Sequence, residues 1–266
     1  MPIEYENKEA LHSDDFKDFV NWHHEGIGEL AEAPGGGMRL HCLGSKQGGR
    51  GCMAFFRPTL PDHVSVEYDI VVHKHGGLVI NYVAIRGLNG EDMITEAKLL
   101  PPREGIMANY WAKHWGLQSY HVSFSRFNDA GEHTDTSNWR RNPGCLLAAQ
   151  GIDLCTEIGR KYRIRLTKDW GHMQLWVDGR FAHGLIDRDT ARYPVPDYGK
   201  FGFRLIGSDV MADITRFRVH RIEPNEDIWV NREDWLPEEL RKKKKGGKGG
   251  KAEAEVPMEE QGEGQG

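Results

Sequence analysis

The stretch HVSVEYDIVV sets Val64, Val66, Tyr68, Ile70 and Val72 on one side of an extended chain and Ser65, Glu67 and Asp69 on the other. Successive side chains of a strand point to opposite faces, so a period of two demands a sheet with one apolar face and excludes an amphipathic helix. Strong β propensity recurs in GGLVINYVAIRG, SYHVSFSRF, CLLAAQGI, KYRIRLTKD, HMQLWVDGRFAHGL, KFGFRLIG and ADITRFRVHRIE, with Gly, Pro, Asn and Asp marking the breaks. No run has convincing helical spacing. So many strands in 266 residues predict an all-β chain folded as a two-sheet antiparallel jelly-roll sandwich, at a size where such sandwiches stay single domains.

Local details refine this expectation. The reading LTKDWGHMQLWVDGRF is a meander, turning through Asp169 to Gly171 and again at Asp178-Gly179. Gly202 is read as a place of close packing, and the segment near Thr215 as a bulge or bend. The sandwich is assigned to residues 1–236. Residues 237–266 hold RKKKKGGKGGKAEAEVPMEEQGEGQG, which has almost nothing apolar to bury and reads as a disordered charged tail.

A net charge of -5 argues against a nucleic-acid or anionic-membrane binder, which needs a basic field to displace counterions. Local Arg clusters still leave acidic polysaccharides open as partners. The N-terminus MPIEYENKEALHSDDF has neither a basic region nor an apolar core, and no run is long enough to span a membrane as a helix, so a cytoplasmic location is expected. Cys42, Cys52, Cys145 and Cys155 lack metal or redox spacing and read as free, buried thiols, with two disulfides as the alternative for an exported protein.

The LWVDG hairpin, GKFGFRLIG and ITRFRVHRI together resemble the C-terminal half of concanavalin A-like lectin and glucanase domains. More specifically, SYHVSFSRFNDAGEHTDTSNWRRNPGCLLAAQG is similar to the YesU-type family of bacterial proteins found with rhamnogalacturonan-utilisation genes. The resemblance implies a galectin-like jelly roll that handles acidic or deoxysugar-containing saccharides. It supplies no catalytic residues, and the same sandwich serves lectins, hydrolases and lyases.

Function must therefore come from the site. A glucanase of this fold uses Glu-x-Asp-x-x-Glu, but Glu67, Asp69 and Val72 stand at those positions, so the last acid is missing and a solvated strand face is the better reading. A lyase needs a Tyr or His to take the proton beside a uronate carboxyl, with Arg, Asn or Gln to neutralise the charge that develops. The candidate base is His121, then Tyr120. Candidate binding groups are Asn81, Arg86, Arg126, Arg140, Arg141, Asn142 and Gln150, with Trp111 and Trp115 as stacking platforms beside Tyr110 and His114. Parity allows only one of Tyr120 and His121 into a groove, and if Val122 and Phe124 pack inward it is His121.

Elimination is the leading expectation, with a non-catalytic sugar-binding module and a glycoside hydrolase as alternatives; a filled groove would instead favour a structural domain. No cofactor is expected. The imidazoles of His23, His24, His73 and His75 lack a third ligand at a recognisable spacing, and Asp213 is the one candidate for a structural calcium. Nucleotide, zincin and serine-hydrolase motifs are missing from the sequence.

Overall fold

Val64, Val66, Tyr68, Ile70 and Val72 are buried together, as their alternation requires. The structure, a computed structural model, describes residues 2–44, 49–112, 116–189 and 193–225. The strands in chain order are β1 (Asn7–Asp14), β2 (Trp22–Gly26), β3 (Gly28–Glu32), β4 (Met38–Cys42), β5 (Cys52–Phe56), β6 (Val64–Val72) and β7 (Gly77–Gly87). They continue with β8 (Leu117–Phe124), β9 (Thr136–Asn142), β10 (Leu146–Ile152), β11 (Lys161–Asp169), β12 (His172–Val177), β13 (Arg180–Ile186), β14 (Lys200–Gly207) and β15 (Val210–Ile222). Two short 3-10 turns, Ala97–Leu99 and Met107–Tyr110, interrupt the connection from β7 to β8.

These strands form two antiparallel sheets. One is eight-stranded, ordered β13-β12-β11-β6-β15-β4-β3 with β1 also paired to β15; the other is seven-stranded, ordered β10-β9-β8-β7-β14-β5-β2. The main core lies between them. Val66, Tyr68 and Ile70 from β6 meet Val122 and Phe124 from β8, Trp139 from β9 and Phe201 and Phe203 from β14. Tyr68 crosses edge-on to Phe203, and Trp22, Phe56 and Phe217 extend the aromatic cluster. Large rings concentrate apolar area in few residues, which is how a chain only 38% hydrophobic builds such a core.

The expected sandwich is therefore found, with its turns. Asp178 and Gly179 both have positive φ (50° and 76°), the backbone of a tight I′ hairpin. At Gly202 a Cβ would come within 2.4 Å of the Phe55 ring, and the register of β15 shifts between Thr215 and Arg218. Other readings need correction. The segment between SYHVSFSRF and CLLAAQGI, where no strand is expected, contains β9, and β1 to β5 lie in a region whose alternation is too short to stand out. All four cysteines are free, Cys42, Cys52 and Cys155 being buried.

Glu67 and Asp69 lie on the outer face of the eight-stranded sheet, away from the partner sheet. There Glu67 meets Arg165 at 3.2 Å, and Asp69 is not solvated but buried between Arg163 and Arg216. The candidate calcium ligand Asp213 is occupied by Arg39, in a two-pronged pair at 2.6 and 2.7 Å, and by His73 at 2.8 Å. His75 does not join His73 but lies edge-on to Phe127. Among the described residues no helix is long and apolar enough to cross a membrane.

Candidate functional site

Alternation gives the seven-stranded sheet a second face, turned away from the core, and register says which side chains share it. Directly opposed residues lie on the same face. One row runs Glu25, Met53, Arg204, Ile80, Ser123, Asn138, Gln150; the next runs His23, Phe55, Gly202, Tyr82, His121, Arg140, Leu147. His121, Arg140, Asn142 and Gln150 are thus on this outer face, as parity from Val122 and Phe124 requires.

His121 is almost fully buried. Its Nδ1 lies 2.9 Å from the Asn142 amide nitrogen, which also donates to Ser119 Oγ at 2.8 Å. Trp111 stacks on the ring with centroids 5.7 Å apart, and Tyr82 lies 5.5 Å away. Burial, then the nearby Arg204 and Arg140 charges, push the imidazole pKa down to about 3. The ring is neutral at physiological pH and a weak proton acceptor, a poor match for a base working near neutrality.

Arg204, missed in the sequence reading, is the central group. It is fully buried, donates to Tyr82 Oη at 3.0 Å and to the Gly105 carbonyl at 3.3 Å, and lies 5.1 and 5.5 Å from the ring centroids of Tyr110 and Trp111. Its Nε has no hydrogen-bond partner among the described residues. The signal was present in KFGFRLIG: Arg204 alternates out of phase with Phe201, Phe203 and Leu205, and so has to face away from the core.

The connection from β7 to β8 roofs this part of the face. Met93, Tyr110 and Leu117 pack with Met53, Phe55, Ile80, Tyr82, Ile85 and Ile206 in a second apolar cluster. Arg103 pairs with Glu25, which also accepts from Tyr110 Oη at 2.7 Å. Burial favours protonated Glu25, but hydrogen bonds from His23, Arg103 and Tyr110 prevail and hold its pKa at about 2.

Beyond Trp111 the face is more open. Arg126 Nη1 donates to Thr136 Oγ1 at 2.7 Å, and both Arg126 Nη1 and Gln150 Nε2 lie 2.9 Å from the Asn138 amide. Arg140 donates to the Cys145 carbonyl at 2.7 Å. Gln150 and Leu147 are exposed, while Arg126 and Arg140 are half-buried. Among the described residues Arg126, Arg140 and Arg204 have no carboxylate within the 4.0 Å of an ion pair.

Four proposed site residues do not belong to this face. Tyr120 points into the space between the sheets, where its hydroxyl donates to Asp187 at 2.6 Å and burial raises its pKa; it is unsuited to act as a base. Arg141, next to it on the inner face, pairs with the same Asp187 at 2.8 Å. Asn81 is buried in the core and accepts from Tyr68 Oη. Arg86 follows a register shift after Val83, where Ala84 has positive φ; it turns to Asp197 at 2.8 Å and stacks over Tyr198. Trp115 and His114 lie outside the described residues.

Comparison with known proteins places this architecture. Residues 4–219 match the family model described as a domain of unknown function, DUF1961. The chain belongs to this family. The Bacillus subtilis protein YesU is 30% identical over 168 residues, covering 61% of this chain and 74% of that protein. A crystal structure from Bacillus subtilis, of a protein of unknown function with a galectin-like fold, superposes with a TM-score of 0.74 at 24% identity, covering 84% of this chain and all of that one. LamA from Z. galactanivorans, solved in complex with laminaritriose and laminaritetraose, shares the fold at a TM-score of 0.51 and 9% identity, over 81% of this chain and all of that one. This chain thus has the galectin-like jelly roll that the sequence suggested, and its chemistry has to be read from the face just described.

Proposed function

We propose that this protein binds an acidic carbohydrate on the open part of the outer face of its seven-stranded sheet. One observation carries the reading: Arg126 and Arg140 lie close together on the open part of this face, with buried Arg204 beside it, and among the described residues none of the three has a carboxylate within ion-pair distance, in a protein whose net charge is -5. A guanidinium presents a planar fork that fits a sugar carboxylate, and a half-buried one loses less of its attraction to water and salt than an exposed one. Trp111, half-buried at the boundary, offers an aromatic edge to the C–H surface of a sugar ring, and Asn138 and Gln150 offer amides to hydroxyls. The likeness to a laminarin-oligosaccharide complex is consistent with a saccharide ligand but carries no residue across.

Calorimetric titration with uronate-containing oligosaccharides and their carboxyl-reduced counterparts tests this. The charged series is expected to bind, more weakly as salt rises, and the reduced series is not. Equal binding of both, or of neither, refutes the reading.

A second reading, elimination, is favoured by the contact between Tyr82 Oη and Arg204 Nη1 beside neutral His121. In that chemistry Tyr82, as its phenolate, would take the proton next to the uronate carboxyl while Arg204 offsets the charge that develops; the double bond would form as the glycosidic C–O bond breaks, and the Tyr82 hydroxyl would return its proton to the leaving oxygen. Tyr82 replaces Tyr120 as the candidate base. Burial raises its pKa despite Arg204, the same obstacle that rules out Tyr120, and Tyr110 packs against it, so this reading requires the roof to open and rehydrate Tyr82 before it can ionise. Ultraviolet absorbance of an unsaturated product separates it from binding alone.

A further inference from the structure

The outer face of the eight-stranded sheet carries a groove, and strand register builds it. Trp176 on β12 lies opposite Arg165 on β11, which lies opposite Glu67 on β6, so one row of side chains makes the floor. The segment before β1 makes one wall. Its Ile3 backbone exchanges two hydrogen bonds of 2.8 Å with the Gln174 amide, Tyr5 Oη donates to Asp169 at 2.9 Å, and Asn7 donates to Glu67 at 2.7 Å. Gln174 lies opposite Thr167, which puts this wall on the Thr167 side of the floor; Arg163, beyond Arg165 in the other direction, makes the facing wall. The space between them is about 370 Å³, inside the range of about 300–1,000 Å³ for small-molecule sites.

The two walls carry opposite charge. On the N-terminal side and the floor, Glu4, Glu6 and Glu67 have only Lys8 and Arg165 within ion-pair distance among the described residues, which leaves a negative excess. On the other side buried Asp69 is shared by Arg163 and Arg216, which leaves a positive one. Glu4 and the Arg163 guanidinium make no hydrogen bond among the described residues, and both are exposed. Trp176, buried yet part of neither apolar cluster, lines the groove.

We propose that this groove binds a short zwitterion of dipeptide length, its ammonium toward Glu4 and its carboxylate toward Arg163. A ligand with one charge answers only one wall. Length follows from the strand: at about 3.4 Å per residue, positions 163 and 167 stand about 13 Å apart along β11, and side chains reach inward from both walls. The termini of an extended dipeptide are roughly 7 Å apart, whereas a single α-amino acid holds both charges on one carbon and cannot meet both walls. A ligand side chain then lies against Trp176. The groove is on the sheet opposite the arginine-bearing face, so it does not depend on the sugar reading.

Chemical-shift titration of the isotope-labelled full chain with alanylalanine decides the proposal. The Trp176 indole N–H signal is expected to shift saturably, and acetylating the amine or amidating the carboxylate of the dipeptide to weaken binding about tenfold, the value of one charge-assisted hydrogen bond. Arg163→Ala and Glu4→Ala, both at exposed positions, should each do the same with an unchanged melting temperature. A Trp176 signal that does not shift saturably, capped dipeptides that bind as well as the free one, or an affinity unchanged in either variant overturns it.

Discussion

Over β5, β14 and β7 the outer face of the seven-stranded sheet carries Met53, Phe55, Ile80 and Tyr82 and lies under Met93 and Tyr110, whereas over β9 and β10 it carries Arg140, Leu147 and Gln150 and meets solvent. The strands obey the same alternation in both regions. What differs is the connection each receives: the long passage from β7 to β8 folds back as a roof, while β9 reaches β10 through a short turn. The roofed half gains a second small core and buries charge with it, pairing Glu25 with Arg103 and setting Arg204 against Tyr82 Oη, the Gly105 carbonyl and the Tyr110 ring. The open half keeps its guanidiniums half-hydrated and so has no comparable need of partners. One sheet face is thus divided into a packed part and a solvent-open part by the length of the connections it receives.

If that division holds, the largest effect comes from breaking the roofed pair. Glu25→Ala leaves Arg103 buried without its carboxylate and Tyr110 without its acceptor, and is expected to cost about 3–5 kcal/mol, read as a lower denaturant midpoint. A loss under about 1 kcal/mol would show that the roof does not depend on this pair.

Acid should attack the same half next. His121 has a pKa lowered to about 3 in the folded protein, so between the ordinary histidine value of about 6.5 and that point the unfolded chain binds a proton that the native one does not. Stability therefore falls as pH drops through this window, by about 1.4 kcal/mol per pH unit at most for this residue, and levels off below it. Glu25, held at about 2, adds a loss between its ordinary value of about 4.5 and 2. Replacing His121 with Gln should flatten the upper part of the profile in pH-dependent unfolding; a slope unchanged between pH 6 and 4 would be inconsistent with a buried neutral imidazole there.

How much of this was legible in the sequence depended on whether the determining interaction was local. Alternation is local, so the sandwich, the Asp178-Gly179 turn and the outward aim of His121 could all be read directly. The same rule already turned Tyr120 inward once Val122 and Phe124 did, and applied to every strand it would also have moved Asn81 and Arg141 to the inner face and brought Arg204 out. Grouping Arg140, Arg141 and Asn142 by closeness along the chain hid their alternating directions. Arg86 could not be placed in this way, since the register shift beyond Val83 reverses its parity without a glycine or proline to mark it. Nor could the roof. Tyr110 and Glu25 are 85 residues apart, and nothing in either segment announces the other.

A smaller effect sharpens the boundary between the halves. At Gly202, opposite Tyr82, an added Cβ would press within 2.4 Å of the Phe55 ring in the roofed cluster. Gly202→Ala should cost about 1–3 kcal/mol, since the ring has to be displaced in packed surroundings. A neutral result in thermal unfolding would mean that this cluster repacks freely.

The smallest expected effect on stability is at Arg140, and there the contrast is sharpest. Arg140 gives one hydrogen bond to the Cys145 carbonyl and has no ion-pair partner among the described residues, so Arg140→Ala should change unfolding free energy by about 1 kcal/mol or less. Its removal should nevertheless weaken uronate binding about ten- to a hundredfold, because a charge-assisted hydrogen bond to a carboxylate is worth about 1.5–3 kcal/mol. Arg140→Lys discriminates further: it keeps the charge but loses the fork, and should recover only part of the affinity. Calorimetry and denaturation on the same samples check both halves of the claim. Equal losses of stability and affinity would make Arg140 a structural group and erase the distinction between the open and the roofed face.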